Sequence, residues 1–354
     1  MTAPPALPDG SSVTVVIPTF NRAAELMRAL GALQAQTAAA LHAIVVDNSS
    51  TDDTEARVRA CMPHWQGRLH YLRKDPQGPA SARNLGLTAA TTPLVLFQDS
   101  DVELEPQWVE RALGHFQSDP HLAAAGGLMI YAFDRSRVNA YGGDLGRMGL
   151  AWDIDEGALR ATERAGVGRI WINCSAMLVR APVVQAVGGF DETFFYGYED
   201  SDLGWRLNLA GHRVAVFPDL AALHHVDADV GVAHPTIVFH YCKNRLRSLL
   251  RNAAMPSFVG ALGAYLAYSV VDLVWRAPRR PKIAALVWNL RRWRQTLALR
   301  RQTQAQRQVP DTTVFALGAG RWLPPTPLGN RRRRPLPGAD KSMVTPADRR
   351  DDRV

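Results

Sequence analysis

Two carboxylates one residue apart, in the run Phe97-Gln98-Asp99-Ser100-Asp101, close an apolar segment and are the first place where this sequence could do chemistry. Hard divalent cations take oxygen ligands and keep substrate phosphate in their coordination sphere, so the pair can hold Mg2+ or Mn2+ together with a diphosphate. The same spacing also suits a solvated loop whose acids favour a following helix. A second acidic run, Tyr198-Glu199-Asp200-Ser201-Asp202, lies far downstream at the start of a helical pattern, and two imidazoles, His224 and His225, follow the apolar run Val214-Ala215-Val216-Phe217.

The elements that must position these groups are legible from periodicity. Val13–Ile17 is a β-branched run stopped by Pro18, and residues Ala23 to Gln36 repeat apolar positions at helical spacing, with Asn21 placed to cap the start. Ala43–Val46, His70–Leu72 and Pro93–Phe97 read as further strands, separated by helices from Thr54 and from Pro79 to Ala90. Wholly apolar strands alternating with helices predict an α/β fold whose sheet is mostly parallel and covered on both faces. Ligands of such sheets sit at the carboxyl ends of the strands, where the polar clusters of this chain fall. Beyond residue 120 the pattern is less regular: strands are expected at Ala123–Ile130 and Asn173–Val179, and helices at Asp200–Leu209 and 236–254.

Taken in order, Val16-Ile17-Pro18-Thr19-Phe20-Asn21-Arg22, Val45-Val46-Asp47-Asn48-Ser49-Ser50, Pro79-Ala80-Ser81-Ala82-Arg83-Asn84 and Asp99-Ser100-Asp101 resemble the family 2 glycosyltransferases of the GT-A fold, over roughly residues 13–225. A rhamnosyltransferase-like subgroup is within that resemblance. It implies an inverting, metal-dependent transfer from a UDP- or dTDP-sugar to the hydroxyl of a glycan or lipid-linked acceptor, as in cell-surface polysaccharide or glycolipid synthesis. By the same resemblance Pro18, Thr19, Asn21, Asp47, Arg83, Asp99, Ser100 and Asp101 bind the donor, with Asp47 accepting from the pyrimidine N3–H. Asp101, Asp99 and His224 are the implied metal ligands, and Asp200 the implied catalytic base. Glu199, Trp205 and Asp202 belong to the implied acceptor side, Asp202 being also a rival base and a helix-end acid. A sugar-phosphate nucleotidyltransferase is the alternative enzyme, but it places a Gly-rich loop after the first strand, where this chain has Pro18-Thr19-Phe20-Asn21. A nucleotide-sugar-binding protein without chemistry is the other alternative.

Charge is distributed unevenly. Residues 241–354 carry 23 Lys/Arg against 6 Asp/Glu, while residues 1–240 carry 18 against 27. A mildly acidic body with a basic extension predicts an anionic surface as partner. An apolar stretch, Phe258–Trp275, adjoins the basic residues, the Arg-rich tail lacks interleaved aromatics and no nucleic-acid motif appears, so the expectation is a membrane surface and no nucleic acid. That stretch can lie in a membrane interface, form a buried core helix, or span. Cys61, Cys174 and Cys242 form no CxxC pair and read as ordinary thiols of a reducing compartment. Met1–Gly10 has no signal pattern, which places the protein in the cytoplasm, peripheral on the inner face of the plasma membrane. The expected organisation is a flexible segment 1–12, a GT-A domain 13–235, a basic amphipathic helical region 236–305 and a disordered Pro/Arg-rich tail 306–354.

Overall fold

The computed structural model describes residues 12–38, 41–226 and 234–325. Its N-terminal half alternates β1 (Val13–Thr19), α1 (Ala23–Gln34), β2 (Leu41–Asp47), α2 (Thr54–Cys61), β3 (Leu69–Arg73), α3 (Pro79–Ala89), β4 (Leu94–Gln98), the short β5 (Val102–Leu104) and α4 (Trp108–Ser118). Then follow β6 (Leu122–Tyr131), β7 (Val138–Ala140), the hairpin β8 (Gly143–Leu145) and β9 (Ala151–Asp153), β10 (Val167–Gly168), β11 (Ala176–Arg180), α5 (Ala181–Ala186), α6 (Glu199–Leu209) and β12 (Arg213–His224). Five helices end the described chain: α7 (Pro235–Asn252), α8 (Met255–Trp275), α9 (Arg280–Arg291), α10 (Trp293–Gln306) and α11 (Asp311–Phe315).

The main sheet runs β10-β12-β6-β11-β4-β1-β2-β3. Strands β3, β2, β1 and β4 are parallel, as expected. The other half is mixed: β11 is antiparallel to both β4 and β6, while β12 is parallel to β6. The expectation of a mostly parallel sheet therefore holds for the half built from β1 to β4 only. Side chains alternate across the sheet with period two. Val13, Val15 and Ile17 join the core under α1, α2 and α4, and Val16, Val95 and Phe97 join the core under α3, α5 and α6. Gly86 lets α3 lie directly on β1, because a Cβ there would collide with Val16.

The C-terminal helices do not carry all of their basic residues at the surface. Lys243, Arg245, Arg247 and Arg251 of α7 are buried. Arg247 donates to Asp191 at 2.7 Å, Arg251 pairs with Asp202 at 3.5 Å, and Lys243 donates to the Thr193 carbonyl at 2.6 Å. Part of the basic excess thus neutralises acids of the α/β body, since a buried charge needs a partner. Residues 306–325 are not a loose tail either: Val314 and Phe315 of α11 pack with Trp205 and Leu249. The remainder of that tail, residues 326–354, and the segment 1–11 lie outside the described residues. All three cysteines are free thiols.

Candidate active site

Strand β1 delivers Pro18 and Thr19 to its carboxyl end, and β2 delivers Asp47 beside them, the Asn48 N–H donating to the Thr19 carbonyl at 2.9 Å. Asn21 does not cap α1. Its backbone is left-handed (φ 51°), its side-chain oxygen accepts the Thr51 N–H at 2.7 Å, and its own N–H donates to Ser50 Oγ. Asp52 accepts the Ala23 N–H at 3.2 Å instead, so the α1 N-terminus is capped from the neighbouring loop. The two strand-end loops are in this way laced into one floor.

Asp47 departs from the role implied for it. It is fully buried and accepts from the Ser50 N–H at 2.8 Å, the Ser50 hydroxyl at 2.6 Å and the Tyr71 hydroxyl. These bonds close the β2 turn and engage both carboxylate oxygens. Burial and the bond to Asp47 push the Tyr71 phenol up, which keeps it a proton donor. Thr19 Oγ1, by contrast, is buried without a partner among the described residues, as are Arg83 Nε, Asn173 Oδ1 and Glu199 Oε2. Buried polar atoms are ordinarily satisfied, so orphans gathered at one strand-end cleft mark where a polar ligand belongs.

Arg83 joins the two acidic clusters. It leaves the buried face of α3 and donates to Asp99 Oδ1 at 2.6 Å and to Glu199 Oε1 at 3.1 Å, tying the end of β4 to the first turn of α6. Burial works against its charge, but Asp99 and Glu199 hold the guanidinium firmly protonated. Burial likewise raises Asp99, yet Arg83 and a 2.7 Å bond from Ser175 outweigh it and hold Asp99 below the usual carboxylate range. With one oxygen on Arg83 and the other on Ser175, Asp99 is turned away from the metal-ligand role implied for it.

Asp101 is different. Burial and the nearby Asp99 charge raise its pKa, against the opposing pull of His224 and Arg22. His224 Nε2 stands 3.7 Å from Asp101 Oδ1, its ring fixed by a 2.8 Å bond between Nδ1 and Asn139. His225 turns to Glu103 instead, at 2.6 Å. Arg22 forms an ion pair with Asp101 Oδ2. Among the described residues no three His, Cys, Asp or Glu side chains converge as a metal cage. Asp101 and His224 nevertheless fit a divalent cation that draws its other oxygens from a diphosphate, and an O,N donor pair favours Mn2+ over Mg2+. Arg22 has to release Asp101 for that.

On the facing wall, Tyr198 in a left-handed conformation (φ 71°) turns the chain into α6. Asp200 sits in the first helical turn, its Oδ1 accepting the Ser201 N–H at 2.7 Å. Burial, then the Glu199 and Asp153 charges, push Asp200 well above the usual carboxylate range. Asp153, held by Asn173 at 3.0 Å, is itself raised by burial to about 6. Two implied acceptor-side residues do not face the cleft. Asp202 is fully buried between Arg206 (2.8 Å), Ser248 (2.9 Å) and Asn252 (2.8 Å), and burial is outweighed by Arg206 and Arg251 so that its pKa falls. Trp205 is a core side chain against Phe315. Their places at the rim are taken by Tyr196 and Tyr241, exposed rings with centroids 6.1 Å apart.

Sequence reading did not single out Arg22, Asp153, Asn173, Ser175 or Tyr241. Only Arg22 carried a signal, since it directly follows the first strand-end motif.

A curled mixed sheet with an acidic pair at the end of its fourth strand and an arginine-tied acid pair opposite defines a GT-A-like architecture. Residues 14–152 match the family model of glycosyl transferase family 2. The chain is 35% identical over 222 residues to a pre-mycofactocin glycosyltransferase of Mycobacterium tuberculosis, covering 62% of this chain and 44% of that one. It is 34% identical over 227 residues to a validoxylamine A glucosyltransferase of Streptomyces hygroscopicus subsp. jinggangensis, covering 58% of this chain and 53% of that one. The chain thus spans about half the length of these curated relatives. In fold it is similar to GalNAc-T7, solved with UDP, GalNAc and Mn2+ (TM-score 0.60, 14% identity, 78% of this chain and 54% of that one), and to S. aureus TarS (TM-score 0.54, 17% identity, 86% and 54%).

Proposed function

We propose that the protein is an inverting hexosyltransferase that moves a sugar from a UDP- or dTDP-sugar to the hydroxyl of a glycan or lipid-linked acceptor in cell-surface polysaccharide or glycolipid synthesis. It works at the cytoplasmic face of the membrane, with an anionic membrane surface as partner. The observation that supports this reading is the Arg83 bridge, which ties Asp99, at the end of β4, to Glu199, the neighbour of Asp200 in the first turn of α6.

Thr19 and Asn21 line the nucleoside side, and Ser100 and Arg83 the diphosphate side. Asp101 and His224 would hold the divalent cation, which when bound neutralises charge on the departing nucleoside diphosphate. Asp200 receives the acceptor's hydroxyl proton as that oxygen bonds to the anomeric carbon and the bond from that carbon to the diphosphate oxygen breaks. Burial and the Glu199 and Asp153 charges raise the Asp200 pKa, which makes it a stronger base than an exposed carboxylate. Glu199 and Arg83 fix the wall that carries it, and the shared rigid cleft aligns the two reactants.

Incubating the protein with a panel of nucleotide sugars, with and without Mn2+, tests the reading. Metal-dependent release of nucleoside diphosphate supports it. Pyrophosphate release indicates the nucleotidyltransferase alternative, and binding without release a non-catalytic protein.

A further inference from the structure

Helix α8 is long and apolar enough to cross a membrane by composition alone, yet the body of the protein hardly covers it. Its exposed positions Val259, Leu266, Val270, Val271 and Val274 fall on one face at helical spacing, and Trp275 ends that stripe at 80% exposure. The opposite face carries Ala261 and Tyr265, which are buried, and Tyr265 and Tyr268 flank the Arg245 guanidinium of α7. The helix's one acid, Asp272, is also turned inward and pairs with Lys282 at 2.7 Å. A core helix would bury its stripe, so that reading of the stretch fails.

Helix α9 continues the apolar surface. Ile283, Leu286, Val287 and Leu290 are exposed at i, i+3, i+4 and i+7, while Ala285 and Asn289 on the other side are buried against α7. Exposed apolar surface of this extent on a soluble domain marks a docking face. Its borders are cationic: Arg276, Arg279 and Arg280 lie in the turn between the helices, and Arg291, Arg292 and Arg294 at the far end of α9, all exposed. Apolar side chains rimmed by arginines complement an anionic lipid surface, where the chains enter the acyl boundary and the guanidinium groups meet phosphates.

The connections decide between lying on the bilayer and crossing it. At 21 residues α8 is about 31 Å long, which would suffice to span. A single crossing leaves the two ends of a helix on opposite sides. Here α7 before it and α9, α10 and α11 after it are joined to each other. Arg300 donates to the Leu250 and Ala253 carbonyls at 2.7 and 2.6 Å, the Ala254 N–H donates to Asp311 at 2.7 Å, and Asn289 donates to the Lys243 carbonyl at 3.1 Å. Both ends of α8 are therefore held on one side.

We infer that α8 and α9 form a monotopic membrane seat: a helical hairpin lying in the plane of an anionic bilayer, inserted by its apolar face and not crossing. This deepens the membrane-surface part of the function proposed above and is independent of the transfer chemistry. The test is flotation of the full chain with vesicles of phosphatidylcholine alone or mixed with phosphatidylglycerol. The seat predicts strong binding to the anionic vesicles, weakened by salt, and release by alkaline carbonate. Leu286→Glu with Leu290→Glu lowers partitioning on the order of a hundred-fold. Arg280→Gln and Arg291→Gln each lower it about five-fold. All these positions are exposed and outside the catalytic cleft, so melting temperature and donor turnover in solution stay unchanged. Failure of the wild type to float with anionic vesicles overturns the inference. So does retention after carbonate extraction, which means a crossing helix, or a dimer in sedimentation that the two glutamates dissolve, which means that a second copy covers the face. Vesicle binding without nucleotide-sugar turnover leaves the seat standing and removes the transferase reading; the reverse result does the opposite.

Discussion

Replacing Arg83 by Met removes the side chain that ties the two acidic walls together while keeping most of its volume. In the native protein it makes charge-assisted bonds of 2.6 Å to Asp99 and 3.1 Å to Glu199 from a buried position. Removing one partner of such an arrangement leaves carboxylates buried without a counter-charge, which costs about 3–5 kcal/mol. Asp99 retains some contact with solvent, so the lower half of that range is expected. At about 2–4 °C per kcal/mol, the melting temperature falls by roughly 6–16 °C. The loss depends on pH with a definite sign. Asp99 is held below the ordinary carboxylate range, so its contribution is fully present above its unfolded pKa and disappears as pH falls through the folded value. In the variant burial acts on Asp99 without the opposing pull of Arg83, although Ser175 and His224 still oppose it. The carboxyl therefore protonates at a higher pH than in the wild type, and the penalty of the orphaned charge is relieved as pH falls. The gap between wild type and Arg83→Met is thus widest at neutral and higher pH and narrows as the pH falls. Thermal melts of both proteins across this range are the assay. Arg83→Lys falls between them, since one ammonium cannot span two carboxylates as a planar fork does. A gap that is small or independent of pH refutes the bridge as the tie between the walls.

The nearby charges give further expectations. Asp153 raises Asp200, so Asp153→Asn lets Asp200 ionise at lower pH, and the acid limb of the pH–rate profile for transfer moves downward; an unmoved limb means that Asp153 does not act on the base. Asp202→Ala strips the shared partner of Arg206, Ser248, Asn252 and Arg251 and destabilises the protein by about 3–5 kcal/mol in denaturant titration, while turnover per folded molecule persists. A folded but inactive Asp202→Ala would return that residue to the cleft.

The sequence carried the frame of the fold because its signals were local. Apolar runs such as Val13–Ile17 and Ala43–Val46 are strands for reasons contained within a few residues, and the helix from Pro79 follows from a Pro at its first turn. Motif order then assigned Arg83, Asp99, Asp101 and Asp200 to one cleft. What escaped depends on partners distant in sequence. Arg247 and Arg251 read as part of a basic extension for an anionic surface because nothing near them in sequence reveals their pairing with Asp191 and Asp202. Asp47 resembled a base acceptor until Tyr71, from the next strand, satisfied it. Asp153 lies on a three-residue strand inside an irregular stretch, with no periodicity to aim it at Asp200. The antiparallel β11 was legible as a strand but not as one running against its neighbours, because direction depends on the connection and not on the residues.

Turnover by Asp200→Asn tests the central claim most directly. The amide keeps the size and the bond to Ser201 but cannot take a proton at neutral pH, so sugar transfer to acceptor falls by about 10²–10⁴-fold while stabilisation of the protein by the bound donor, read as a thermal shift, stays near the wild-type value. A variant that transfers sugar at close to the native rate contradicts Asp200 as the base and, with it, the mechanism proposed for this cleft.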